Sequence, residues 1–138
     1  PGETEDDYNQ LLELVESERF SRLGVFTYSQ EENTVAAEMD NQIDEDIKQI
    51  RFDGVMRRQM LISSELNKEK IGKVFDVIVD SMDEDGSFIG RTRFDAPEID
   101  NCVIFKPAIC GKDVGEFTYV HITGSSEYDV YGEEVQTP

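Results

Sequence analysis

The chain has 138 residues, with 31 Asp and Glu against 13 Lys and Arg, and its formal net charge of −18 is divided evenly: residues 1–68 carry 16 acidic and 7 basic side chains, residues 69–138 carry 15 and 6. This length suits one compact domain with an appendage and excludes two domains of full size. So negative a surface contributes nothing to the counterion release that drives nucleic-acid binding, and it suits a basic partner.

Thr4 is followed three residues later by Asp7, and Tyr8, Leu11, Leu12 and Val15 then recur at helical spacing, which predicts a capped amphipathic helix over 4–19. Leu23-Gly24-Val25-Phe26-Thr27-Tyr28 is a short β-rich apolar run and predicts a strand buried on both faces, as in a parallel sheet. Ser29 to Asn41 is polar, acidic and aperiodic, and reads as a loop. From about Asp44 the pattern is helical again, with Ile43, Ile47, Ile50 and Gly54 on one stripe and Met56, Met60 and Leu61 further along; a helix reaching residue 68 would be roughly 36 Å long.

After Ile71-Gly72 the period changes to two, the signature of a small all-β domain. Strands are expected over 73–80, 87–94, 101–105, 117–123 and 127–133, with Asp83-Glu84-Asp85-Gly86 as the first hairpin turn and Val77, Val79, Val103, Phe105, Val120 and Ile122 as core candidates. Five short strands in this space suit a compact antiparallel barrel of the OB type. The fold class expected is α+β: a five-stranded antiparallel OB-like barrel preceded by helix, strand and long helix.

No apolar run approaches the roughly 20 residues that span a bilayer, and the N-terminal residues lack the features of a signal peptide, so no membrane association and a cytoplasmic location are expected. Cys102 and Cys110 are eight apart, a spacing of neither a zinc or redox CxxC nor a three-cysteine cluster motif, and read as ordinary thiols. His121 lies between Val120 and Ile122 on an alternating strand and therefore on the opposite face; a strand histidine with a local hydrogen bond is the expectation. The acidic 83–86 cluster lacks the ligand spacing of a calcium loop and reads as a solvated turn.

The segment Phe94-Asp95-Ala96-Pro97-Glu98-Ile99-Asp100 is the candidate binding loop. Pro97 stiffens it, Asp95, Glu98 and Asp100 line it, and Arg91 and Arg93 precede it on the strand. It can present fixed acceptors to a basic partner, or its charges can pair internally with those arginines. Tyr119, Phe88 and Phe94 offer stacking for an RNA-binding module, which the net charge opposes. A purely structural acidic domain is the third reading, its charge serving solubility.

The strings IGKVFDVIVD, IGRTRFDAPEIDNCVIF and GEFTYVHITGSSEYDVYGE, in this order, resemble the TRAM domain that ends radical-SAM methylthiotransferases, and DAPEID resembles the RimO-type branch, which modifies a ribosomal protein. Upstream, PGETEDDY, LGVFTYSQEENTVAA and RRQMLISSELNKEKIGK resemble the same family's last barrel segments and connecting helix. The resemblance implies residues 1–43 as the end of a radical-SAM domain, 44–70 as a connecting helix and 71–138 as the TRAM domain, with Pro1 near the end of the fifth barrel strand. The reaction implied is methylthiolation of the β-carbon of an aspartate in the twelfth small-subunit ribosomal protein, using two 4Fe-4S clusters and S-adenosylmethionine. The cysteines for those clusters are not in this chain, so no cofactor and no activity are expected of it alone. Arg91, Asp95, Glu98 and Asp100 are the substrate-binding candidates. Glu3, with the backbone at Gly2, is implied at the cofactor end of the barrel beside Val25 and Phe26; alternatively Glu3 merely favours the positive end of the first helix. An unpaired apolar strand at 23–28 would also invite self-association.

Overall fold

The computed structural model describes residues 1–96, 101–108 and 113–137. They form two compact units, Pro1–Ile62 and Ser63–Pro138.

In the first unit, α1 spans Glu5–Glu18 and opens with the expected capping box: the Thr4 hydroxyl accepts from the Asp7 amide while the Asp7 carboxylate accepts from the Thr4 amide at 2.8 Å. The Thr4 amide, first, and the Thr4 hydroxyl, both donating to Asp7 Oδ2, hold that carboxyl below its usual range. Arg19 ends the helix in the left-handed region at φ 48°, its amide donating to the Val15 carbonyl. A short 3₁₀ turn covers Val35–Glu38, and α2 runs Glu45–Lys68, of which the part up to Ile62 belongs to this unit.

Two expectations fail in this unit. Leu23–Tyr28 forms no strand, and Phe26 is 94% exposed. Strand geometry is maintained by a ladder partner, and no described segment pairs with this run; it is tied instead by single bonds, as where the Lys48 ammonium donates to the Tyr28 carbonyl at 2.9 Å. The apolar stripe of α2 is also displaced. Ile47 and Ile50 are exposed, whereas Val55, Gln59 and Ile62 are buried, and Lys48 and Arg51 complete the inward stripe with their aliphatic stems. A shift of one residue rotates a helix by about 100°, which suffices to exchange the two faces. Polar bonds fasten the inward face: Gln59 donates to the Phe20 carbonyl at 2.7 Å, Arg51 pairs with Glu3 at 2.7 Å, and Arg58 pairs with Glu16.

The second unit is a closed barrel in the order β1-β2-β3-β5-β4, with β1 Val74–Met82, β2 Phe88–Thr92, β3 Val103–Lys106, β4 Phe117–Ser125 and β5 Val130–Val135. All six core candidates are at most 1% exposed, joined by Phe88 and Val130. The barrel is mixed and not antiparallel throughout: β3 and β5 run parallel, with Val103 opposite Val130 and Phe105 opposite Gly132. The reason is arithmetic. Each antiparallel neighbour reverses direction, so a ring of five strands cannot close unless one pair is parallel. The 83–86 turn is the expected hairpin, with Gly86 at φ 82° and the Asp83 amide donating to the Ser87 carbonyl.

Candidate functional site

Of the site candidates, Arg91 stands on the outer face shared by β1, β2 and β4. Alternation places Thr118 and Val120 inside, so Phe117 and Tyr119 point outward; by the same rule Asp76 and Ile78 flank the inward Val77. Across the ladders Phe117 faces Ile78, Ile78 faces Arg91, and Tyr119 faces Asp76. A bulge between Val79 and Ser81 inserts Asp80, and bulges re-aim side chains. Arg91 Nε donates to the Asp80 carboxylate at 3.1 Å, so the first of the expected binding residues has a partner within its own sheet.

Asp95 is 8% exposed and turns inward. Its Oδ2 accepts from the Thr92 hydroxyl at 2.6 Å and the Thr92 amide at 3.2 Å, while its own amide donates to the Thr92 carbonyl. This carboxylate shapes the turn that starts the loop. Glu98 and Asp100, with Pro97, lie outside the described residues. Arg93 stacks over the exposed Phe94 ring at 4.7 Å. Phe88, expected among the stacking rings, is in the core, edge-on to Phe105 at 5.7 Å. Alternation along β2 turns Phe88 inward together with Gly90 and Thr92. His121 is outward as expected, opposite Val74 and Glu133.

Sequence reasoning missed Asp76, Asp80 and Phe117. Strand alternation could have found Asp76 and Phe117; the bulge that adds Asp80 has no local signal. It also missed Glu134, 4% exposed, which accepts from the Thr118 hydroxyl at 2.5 Å and the Ala108 amide at 2.9 Å. Buried carboxylates bonded in this way fasten a loop to a barrel.

A cluster iron requires a thiolate. Cys102 does not fit: it is partly buried, its thiol donates to the Asp129 carboxylate at 3.2 Å, and burial, first, with that hydrogen bond and charge, pushes its pKa up to about 12. Among the described residues no group of three or more His, Cys, Asp or Glu could hold a metal ion. The native state therefore binds the Cys102 proton more tightly than the unfolded chain. The stability this confers is present below the ordinary thiol pKa and is lost as pH rises from there toward 12. Alkylation of Cys102 at pH 8 is expected to be at least about tenfold slower in the native than in the urea-unfolded chain; equal rates, read by peptide mapping, would show the thiol to be free.

In the first unit, Glu3 lines a cleft of about 260 Å³ with Tyr8, Val25, Phe26, Tyr28 and Arg51. Its carboxylate is engaged by Arg51, which also reaches Glu5 at 3.4 Å. No helix among the described residues is long and apolar enough to cross a membrane.

Comparison with known proteins agrees with this architecture. Residues 71–135 match the TRAM domain family. Over 133 residues, 96% of the chain, it is 47% identical to the ribosomal protein uS12 methylthiotransferase RimO of Clostridioides difficile, and it covers 30% of that protein. The same-named protein of Clostridium novyi is 48% identical over 134 residues, with 29% of it covered, and that of Cytophaga hutchinsonii 43% over 136, with 31% covered. The chain thus spans about 30% of the length of these curated relatives, matching their C-terminal part.

Proposed function

We propose that this chain, which corresponds to the C-terminal part of RimO-type uS12 methylthiotransferases and carries their TRAM domain, serves in such an enzyme as the part that docks its basic protein substrate. The observation that carries the reading is the charge. Both halves of the chain are strongly acidic, and carboxylates stand on the exposed barrel face beside the Arg91 strand. Acidic surfaces steer and orient a cationic partner more than they add raw affinity, which is what a substrate-docking module requires.

On this reading residues 1–43 are the end of a radical-SAM domain and 44–70 its connecting helix. The reaction is methylthiolation of an aspartate of uS12 in the cytoplasm. The clusters and S-adenosylmethionine supply the radical chemistry, and the donors for the clusters lie outside this chain. Arg91, Asp95, Glu98 and Asp100 are the substrate-binding residues on this reading, with Asp95 fixing the turn at Thr92 and Glu98 and Asp100 as the acceptors offered to the substrate.

RNA binding has Phe94 and Tyr119 in its favour as exposed rings, but the carboxylates beside them oppose a phosphate backbone. A competition assay separates the readings. The chain, added in excess to a full-length uS12 methylthiotransferase, should slow modification of uS12 by sequestering it, and raised ionic strength should relieve the inhibition. No inhibition at large molar excess would remove the docking role.

A further inference from the structure

We propose that the outer face of β4, β1 and β2 is where this chain grips a Lys- and Arg-rich polypeptide segment, with Phe117 and Tyr119 as the contacting rings and Asp76 as the charge partner. The inference rests on the docking reading and names residues of the barrel's outer face that would carry it.

Ladder partners share a face, with Cβ atoms about 5 Å apart, so the row Phe117, Ile78, Arg91 and the row Tyr119, Asp76 form one continuous patch. Phe117 is 61% exposed and Tyr119 38%, although both stand on regular strand positions and not on loop tips. Rings held out by a rigid sheet are preorganised for contact. Asp76 is exposed on the same face and has no cation paired with it among the described residues; Asp80, which the bulge adds, is bound to the patch's own cation, Arg91. An aromatic face beside a carboxylate matches a guanidinium or ammonium twice, through the ring quadrupole and through charge. Arg93 over Phe94 is an example of the cation–ring contact in the same domain.

The mode of contact is restricted by topology. The barrel is closed, so no strand edge is open for a peptide to extend the sheet, and recognition falls to the side chains of the outer face. A nucleic acid could stack on the same rings, but Asp76 and Asp80 would face its phosphates.

The test is calorimetric titration of the chain with purified uS12. Phe117→Ala with Tyr119→Ala should weaken binding about tenfold and Asp76→Asn about threefold. Glu84→Gln with Glu127→Gln, which removes two charges from exposed turns elsewhere, should change it less than about twofold. Should the double ring variant melt early, Tyr119→Ala and Asp76→Asn carry the test singly. Intact binding by the ring variants would overturn this inference and leave the docking reading standing; no binding by the unsubstituted chain would overturn both. A single-stranded oligouridylate that binds through the rings, or a dimer that the ring substitutions disperse, would assign the face to RNA or to a second copy and overturn the proposal.

Discussion

Replacing Gly132 by alanine is expected to cost the barrel about 3 kcal/mol, a large share of the roughly 5–15 kcal/mol that keeps a domain folded. Gly132 on β5 sits between Ile122 of β4 and Phe105 of β3, both fully buried. A Cβ there would lie 2.5 Å from the His121 carbonyl oxygen and 2.5 Å from Val120 Cγ1. Neither is the end of a flexible side chain; one is backbone of the paired strand and the other is locked in the core. The barrel has no slack at the point where its parallel pair closes the ring. Gly90 on β2 meets the same obstacle in the Ile78 carbonyl oxygen and Val77 Cγ1. Gly124, at the β4 bulge, is the control: its nearest contact would be Tyr131 Cβ at 3.8 Å, so alanine there should change stability by well under 1 kcal/mol. Urea denaturation of the three variants decides it, and a Gly132→Ala loss no larger than that of Gly124→Ala would mean the strands can separate to accept a methyl.

Asn67→Asp should be comparably severe, at about 3 kcal/mol. Asn67 is 1% exposed near the end of α2, where its amide nitrogen donates to the Tyr128 carbonyl at 3.0 Å and, more weakly, to the Ser126 carbonyl at 3.5 Å. Its oxygen accepts from the Lys70 ammonium at 3.0 Å. A carboxylate in this position keeps the lysine but turns a donor into an acceptor facing two carbonyls, and it buries a charge. Protonation would return a donor and remove the charge. The folded-state pKa of the new group should therefore be raised above its unfolded value, and the variant should recover stability as pH falls through that raised value. Asn67→Ala, which leaves the two carbonyls unpaired without adding charge, should lose less and show no such recovery. Thermal melts from pH 7 down to 4.5 distinguish them; parallel curves for the two variants would show that loss of packing, not charge, dominates.

The parts of the fold legible in the sequence are those whose cause is local. The Thr4–Asp7 capping box is read from two residues three apart, and it is formed. Strict alternation from residue 73 onward gave the five strands and all six core residues, because one face of a barrel strand must be dry. What misled was non-local. Leu23–Tyr28 has strand composition, but composition cannot supply a ladder partner. In α2 the inward stripe contains Lys48 and Arg51, whose stems are apolar and whose heads find Tyr28, Glu45, Glu3 and Glu5; a reading by residue type assigns such positions to solvent. The parallel β3–β5 pair follows from closure, which no single strand records. At the candidate site, three acids and an arginine were visible, but not that Asp95 would bond Thr92 and Arg91 would bond Asp80.

The most direct measurement of the docking role is calorimetric titration of uS12 into this chain at about 50 and 300 mM salt. The expected result is saturable binding at one site per chain, weakened at the higher salt because the screened interaction is between an acidic barrel face and a cationic segment. Absence of binding at both salts, or salt-independent binding, would contradict it.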